Sequence, residues 1–347
     1  MDLQTEVLII GGGMAGLVAG SIAAENGLKT FLLRRGQSAT AYSSGAIDII
    51  GYLPEMDTSF ASPIEGLAHV VGTHPLHPYS ILGFTETRPG KVVECVVESV
   101  LEPVQWLKEQ LKDSCASLVG DFEMNIHPIT VLGTTKPTCL VQESMWHNNL
   151  GADENHVLLF VGFRGHPDLN APVAAKTFLE TRMLTNRLPQ KVGHCTLPIS
   201  PFGKNYNISS IELARYFDHQ DTAFHLAELL KPHVDSLGVT HVAVPPVLGI
   251  ERVRDNIEVL RQETGAHVFE LLSMPPSVPG FRLQKALDQL FVLKGGNLLV
   301  GHDAISYTEK KGRIESVKAR GPKRTLTIST KSVVLATGKF ISGGIVG

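Results

Sequence analysis

The hydrophobic positions near the start of the chain alternate between short apolar runs and glycine-rich turns. Residues 6–10 form an apolar, β-branched run that predicts a buried strand. Residues 14–26 are small and apolar and predict a helix, and residues 30–33 predict a second strand. The order strand, turn, helix, strand is typical of a parallel sheet with helical crossovers.

The middle of the chain, residues 51–290, combines both patterns and predicts a large mixed α/β insertion. Apolar residues recur at helical spacing over 92–111, where we expect Pro103 to interrupt the helix or to begin a new one. The remaining patterned segments predict helices at 208–217 and 222–230 and buried strands at 156–162 and 241–244.

The last part of the chain returns to strand patterns. The runs 314–319 and 325–329 flank a polar turn and predict a meander, after a first strand at 297–300. A buried strand at 332–335 then ends in the small turn Ala336-Thr337-Gly338, which permits close approach of a ligand. We therefore expect one discontinuous domain, 1–50 with 291–347, and an inserted domain, 51–290.

The turn after the first strand carries the clearest chemical signal. Gly11, Gly13 and Gly16 have the spacing G-x-G-x-x-G between a predicted strand and a predicted helix that begins with Met14 and Ala15. Gly11 permits the sharp turn, Gly13 leaves room for a phosphate, and Gly16 permits close helix packing. The pattern favours a nucleotide or flavin bound at the helix N-terminus over a glycine turn with no ligand.

The end of the second strand departs from this pattern. Most dinucleotide-binding proteins carry an acidic residue there that accepts from an adenosine ribose, whereas this chain has Arg34 and Arg35. Guanidinium groups donate to phosphate and accept nothing. Two ligands remain open, NADP, which carries an extra phosphate, and FMN, which lacks the adenosine half. The alternative is that Arg34 and Arg35 are a solvated surface pair with no ligand. The hydroxyl-rich loop with Ser43, Ser44 and Gly45 follows and predicts either further cofactor contacts or an ordinary surface loop.

Composition, charge and the absence of certain motifs exclude several classes of protein and of site. The net charge of −3 gives no basic field for nucleic acid. Cys95, Cys115, Cys139 and Cys195 are widely separated and have no metal-ligand spacing, so we expect no metal and a reducing cytoplasm. No apolar run reaches membrane-spanning length, so membrane association would come through a partner. Hydrolase elbow, zinc-protease and P-loop motifs are absent from the sequence.

Together these segments resemble the flavoproteins with two dinucleotide-binding folds, and within them the family of B subunits of anaerobic glycerol-3-phosphate dehydrogenase. The resemblance runs from end to end of the chain. The segments that carry it are 7–17, 35–39, 43–48, His77-Pro78-Tyr79-Ser80, Pro275-Pro276-Ser277-Val278, Arg282-Leu283-Gln284, Ala336-Thr337-Gly338 and Ser342-Gly343-Gly344.

The resemblance implies an α/β, Rossmann-like FAD/NAD(P)-binding domain with a central parallel sheet, split by a mixed α/β insertion. It implies an FMN-containing subunit, with FAD as the alternative cofactor. It also implies two partners, a catalytic subunit that bears FAD and an iron–sulfur subunit that anchors the complex to the inner face of the cytoplasmic membrane. The complex oxidises sn-glycerol 3-phosphate to dihydroxyacetone phosphate and passes the electrons to a quinone.

Proteins of this family continue beyond the Ser342-Gly343-Gly344 segment, and we expect a flavin-closing element to be missing from this chain. For catalysis, His77 is a weak candidate base and Arg282 a weak candidate for the substrate phosphate; a loop role and a structural salt bridge are their alternatives. Two other functions stay open, an NADP-linked flavoprotein reductase and a scaffold or assembly subunit with a degenerate site.

Overall fold

The computed structural model describes residues 2–85, 92–148, 150, 155–184, 191–202, 207–274 and 276–338. Contacts divide the chain into two compact units, which we call the first unit (Met1–Tyr42 with Gly280–Gly347) and the second unit (Ser43–Pro279). The domain boundaries expected after residues 50 and 290 stay predictions. Pro275 and the Ser342-Gly343-Gly344 segment, part of the resemblance above, lie outside the described residues.

The strands of the described residues are, in chain order, β1 (Asp2–Gln4), β2 (Val7–Ile10), β3 (Thr30–Arg34), β4 (Leu118–Gly120), β5 (Leu140–Gln142), β6 (Val157–Phe163), β7 (Lys191–Leu197), β8 (His241–Val244), β9 (His267–Glu270), β10 (Asn297–Val300), β11 (Asp303–Lys310), β12 (Arg313–Arg320), β13 (Thr325–Ser329) and β14 (Ser332–Leu335). The helices are α1 (Met14–Glu25), α2 (Pro63–Thr73), α3 (Pro78–Thr85), α4 (Val92–Gln110), α5 (Ala171–Leu184), α6 (Ser210–Phe217), α7 (Thr222–Leu237), α8 (Val253–Thr264) and α9 (Val278–Leu293).

The α/β class is confirmed, but the expectation for Pro103 was wrong. Helix α4 runs through Pro103 without a break. Pro103 is exposed, whereas Val96 and Leu107 of the same helix are buried at 0% and 2% exposure. Burial of this apolar stripe offsets the one backbone hydrogen bond that proline removes.

The first unit contains a four-stranded parallel sheet in the order β10-β3-β2-β14. A second sheet, β1-β13-β12-β11, includes the predicted meander. Leu8, Phe31 and Leu33 of the parallel sheet share a buried cluster with Val317 and Ile328 of the meander. Because all four strands of the first sheet are parallel, the turns that follow β2 and β14 lie at one edge.

The second unit contains another parallel sheet, in the order β7-β6-β8-β9. Leu158 and Phe160 of β6 pack in the cluster that contains Phe178 of α5, while Leu159 and Val161 pack in the cluster formed with α6, α7 and α8. Alternating side chains point to opposite faces of a strand, so a strand covered on both faces is apolar throughout. This explains the continuous hydrophobic run in 157–163.

Candidate functional site

The glycine loop of the first unit packs against the turn that follows β14. Gly11 has a φ of +119°, and a Cβ atom built there would lie 2.1 Å from the carbonyl oxygen of Ala336. Ala336 N in turn donates to Ile10 O at 2.8 Å. A Cβ atom on Gly16 would lie 2.0 Å from Gly11 O. Both positions therefore require glycine for packing, whether or not a ligand binds.

Gly13 lies at the N-terminus of α1, where a Cβ atom would fit without a clash. A Cβ atom there would meet nothing nearer than 3.7 Å, the distance to the Ser38 and Thr40 side chains. Met14 N, at the first residue of α1, donates to a side chain outside the helix, Thr40 Oγ1, at 3.0 Å. Ala15, on the next position, is exposed. A helix N-terminus beside two hydroxyl groups is suited to an anionic oxygen.

Arg34, the last residue of β3, is held by an acid that the sequence prediction missed. Its Nη1 and Nη2 donate to Asp288 Oδ1 and Oδ2 of α9 at 2.6 and 2.7 Å. The side chains are only 10% and 22% exposed, so Arg34 is not a solvated surface residue. Arg35 beside it is exposed. The alternative of a solvated pair is therefore wrong for Arg34.

Gln284, one helical turn before Asp288, connects this pair to the glycine loop. Its Nε2 donates to Gly12 O at 3.0 Å and to Asp288 Oδ1 at 2.9 Å. Its Oε1 accepts from Ser38 Oγ in a short hydrogen bond. Gln284 is 2% exposed. The signal in the sequence was a pair of polar residues four positions apart on a helix that is otherwise apolar on that side.

The Arg34 side chain tests whether a phosphate-bearing cofactor fits beside the glycine loop. Arg34 Nε is buried and has no hydrogen-bond partner in the described part of the chain. The aliphatic stem of Arg34 lies against Gly12, where a Cβ atom would come within 2.5 Å of Arg34 Cδ. An orphaned cationic donor on a side chain that packs against the glycine loop fits an anionic group such as a flavin phosphate.

Ala336, Thr337 and Gly338 follow β14 beside the strand that precedes the glycine loop. Thr337 is partly exposed, and a Cβ atom on Gly338 would have no atom of the described residues within 4 Å. The first unit thus brings Gly11, Gly13, Gly16, Arg34 and this turn to the carboxyl edge of one sheet. Their role in binding a cofactor stays a prediction.

Ser43, Ser44 and Gly45 belong to the second unit. Ser43 Oγ accepts from Gly45 N at 3.2 Å, and Ser277 Oγ donates to Ser43 O at 2.6 Å. Gly45 has a φ of +78°, and Gln142 Nε2 donates to Pro279 O beside it at 2.7 Å. Gln142, which the sequence prediction missed, is 1% exposed. These contacts make the serine loop an ordered segment of the second unit.

Of the two candidates for catalysis, His77 packs against a neighbouring tyrosine and Arg282 is fully buried. His77 lies in the turn before α3, where its Nδ1 accepts from Tyr79 N at 3.2 Å. Its ring is 4.9 Å from that of Tyr79, between centroids. Arg282 of α9 is 0% exposed. Whether either residue touches a substrate stays a prediction.

The cysteines and the acidic side chains give no sign of a metal centre. Within the described residues, no group of three or more His, Cys, Asp or Glu side chains is arranged to hold a metal ion. Burial raises the pKa of Cys139 to about 12 and that of Cys195 to about 11, so both stay thiols at neutral pH. Among the helices that the structure describes, none is long and apolar enough to cross a membrane.

Known proteins match the chain over nearly its whole length. The FAD binding domain family matches residues 6–342. The B subunit of anaerobic glycerol-3-phosphate dehydrogenase from Vibrio vulnificus is 30% identical over 347 residues, covering 99% of this chain and 75% of that protein. The proteins of the same name from Vibrio cholerae and Pectobacterium atrosepticum are 29% and 28% identical, each over 99% of this chain and over 75% and 77% of their own lengths.

Proposed function

The chain belongs to the FAD binding domain family and to the B subunits of anaerobic glycerol-3-phosphate dehydrogenase, and we propose that it takes part in oxidising sn-glycerol 3-phosphate to dihydroxyacetone phosphate. The family establishes a flavin oxidoreductase subunit. The observation that supports the proposal in this chain is the close approach of Gly11 to Ala336, which places an open glycine loop at the carboxyl edge of the parallel sheet.

The cofactor we propose is FMN, with FAD as the alternative. Gly13, Ser38 and Thr40 would surround its phosphate, and Arg34 Nε would donate to it. Bound flavin supplies the acceptor for the two electrons of the oxidation.

Oxidation of a secondary alcohol to a ketone removes the carbon-bound hydrogen with its electron pair and also the hydroxyl proton. The proton needs a base, and the substrate phosphate needs a cation. His77 and Arg282 stay our candidates for these two tasks. His77 Nδ1 is occupied by the Tyr79 backbone, so only Nε2 would be available for proton transfer.

We further propose that the chain works in a complex with an FAD-bearing subunit and an iron–sulfur subunit. The latter would attach it to the inner face of the cytoplasmic membrane and pass the electrons to a quinone. That the relatives of this chain are B subunits of a dehydrogenase supports the existence of partners. The identity of the partners and the quinone step belong to the proposal.

The test is quinone reduction driven by sn-glycerol 3-phosphate in the assembled complex. We expect activity with the wild-type chain and its loss with Gly13→Val, while the complex still assembles on a sizing column. Gly36→Ala is the matched control, because no atom in the part of the chain that the structure describes lies within 4 Å of a Cβ position on Gly36. Full activity of the Gly13→Val complex would support a scaffold instead, and activity that depends on NADPH would support the reductase.

A further inference from the structure

The ion pair between Arg34 and Asp288 lies where dinucleotide-binding folds receive an adenosine ribose. That position is the end of the second strand of the parallel sheet, which is β3 in this chain. A carboxylate at this position accepts hydrogen bonds from the ribose hydroxyls. Here the strand ends in a guanidinium, and the nearby carboxylate is on α9.

Most of the hydrogen-bonding capacity of Asp288 is already used within the protein. Oδ1 accepts from Arg34 Nη1 and from Gln284 Nε2, at 2.6 and 2.9 Å, and Oδ2 accepts from Arg34 Nη2 at 2.7 Å. A bidentate guanidinium–carboxylate pair of this geometry is strong and directional. A ribose hydroxyl would therefore have to compete with three donors for two oxygens.

The rest of the network holds the pair in place. Gln284 is clamped between Gly12 O and Ser38 Oγ, and Ser38 Oγ also accepts from Thr40 N at 3.1 Å. Thr40 Oγ1 in turn accepts from Met14 N. The orientation of Arg34 is thus coupled to the loop that surrounds Gly13. Movement of Arg34 to expose Asp288 would break several of these bonds.

Asp288 uses two of the N–H donors of Arg34, and Nε is not one of them. Nη1 and Nη2 are engaged by Asp288, whereas Nε is buried without a partner in the described residues. A buried, unpaired donor is costly, and a phosphate oxygen would satisfy it. A terminal phosphate, as in a mononucleotide, carries more negative charge than one within a pyrophosphate.

We propose that the Arg34–Asp288 pair determines cofactor specificity: it removes the acceptor that an adenosine ribose needs and presents Arg34 Nε to a terminal phosphate, so that the site selects a flavin mononucleotide over the dinucleotide. This inference rests on the proposed function, since it requires that the site bind flavin. In this proposal Asp288 orients Arg34, and Gln284 connects Asp288 to the glycine loop at Gly12.

The experiment measures FMN and FAD binding to the full chain by fluorescence titration, without any assay of activity. We expect the wild type to bind FMN at least about tenfold more tightly than FAD. The double variant Arg34→Glu with Asp288→Arg keeps an ion pair but returns a carboxylate to the end of β3. We expect it to shift the ratio of the two dissociation constants toward FAD by about tenfold or more.

A matched control reverses a different ion pair of the first unit, Lys294 with Glu25. The double variant Glu25→Lys with Lys294→Glu should leave the ratio unchanged. If the Arg34/Asp288 reversal does not fold, as judged by its thermal unfolding curve, Arg34→Gln with Asp288→Asn replaces it. This neutral pair lacks the guanidinium and should weaken FMN binding while FAD binding changes less.

The outcomes separate the two proposals. Equal affinity of the wild type for FMN and FAD, or a ratio that no folded Arg34/Asp288 variant changes, would overturn the specificity role and leave the flavin function standing. Binding of neither flavin by the wild type would overturn both. A changed ratio in the Lys294/Glu25 control would show a general charge effect and would also overturn the specificity role.

Discussion

Gly16 and Gly11 approach each other so closely that neither tolerates a side chain. A Cβ atom on Gly16 would lie 2.0 Å from the carbonyl oxygen of Gly11, and one on Gly11 would lie 2.1 Å from the carbonyl oxygen of Ala336. Three backbone segments therefore meet at the carboxyl edge of the parallel sheet. Gly13, between them in the loop, differs because a Cβ atom there would meet no atom nearer than 3.7 Å in the described part of the chain.

We expect Gly16→Ala to destabilise the chain by about 3 kcal/mol or more, because the methyl group would collide with backbone that cannot move without displacing β2. The free energy of unfolding in urea measures the effect. Gly36→Ala is the control and should stay within about 0.5 kcal/mol of wild type. A Gly16→Ala chain as stable as the control would contradict the packing described for α1.

Phe291 should be a main contributor to the stability of the first unit. It is 0% exposed and lies against Gly20 and Gly296, whose Cβ positions would come within 2.9 and 2.2 Å of its ring. Replacing it with alanine should cost about 3–5 kcal/mol, since the two glycines leave nothing to fill the cavity. The neighbouring Val292 is 56% exposed, and Val292→Ala should have little effect on the same denaturation curve.

The histidines at the start of the second unit's strands should make stability depend on pH. His241 is 5% exposed, and its ring centroid lies 4.6 Å from that of His156 and 5.5 Å from that of His267. Burial first, and then the charges of neighbouring histidines including His147, lower the pKa of His241 from 6.5 to about 4. The unfolded state therefore binds more protons between these values.

It follows that His241 favours the folded state fully above pH 6.5 and that this contribution is lost as the pH falls toward 4. We expect a loss on the order of 2 kcal/mol across that window. Unfolding free energies of the wild type and of His241→Asn, measured at both ends of the window, give the comparison. The variant should lose less stability on acidification; an identical loss in both proteins would show that His241 is not the group responsible.

The buried thiol of Cys139 should be unreactive until the protein unfolds. Cys139 is 0% exposed, and burial raises its pKa to about 12. Cys195 has a pKa raised to about 11 for the same reason. Iodoacetamide labelling followed by mass spectrometry should modify Cys139 only in denaturant, whereas Cys95, which is partly exposed as Cys195 is, serves as the reference. Native labelling of Cys139 as fast as Cys95 would contradict its placement.

Local patterns were enough to predict the parallel sheet of the first unit. The apolar run before Gly11, the small residues of α1 and the buried run before Ala336 are each set by short-range sequence, and their strands pair as expected. The exception, Pro103, shows a local preference overridden by tertiary burial of Val96 and Leu107. The pairing order of the second unit's strands depends on long connections that no local pattern specifies.

Of the contacts around the candidate site, the sequence indicated only the turn built by the glycines; the site itself stays a prediction. Arg34 stands where most dinucleotide-binding proteins have an acidic residue, and the sequence shows that difference. Its partner Asp288, however, is 254 positions away in sequence. Gln284 was noted within a resembling segment, yet its bonds to Gly12 and Ser38 require the fold. Non-local hydrogen-bond networks of this kind depend on which helix covers which strand, and a single sequence does not reveal that.

The most direct test of the central claim is a titration of the chain with FMN, comparing the wild type with Gly13→Ala. Because a Cβ atom at Gly13 meets nothing within 3.7 Å, the variant without ligand should unfold within about 1 kcal/mol of wild type. We predict saturable FMN binding by the wild type and affinity weaker by about tenfold or more in the variant. Failure of the wild type to bind any flavin, or equal binding by both proteins, would contradict a flavin held at this glycine loop.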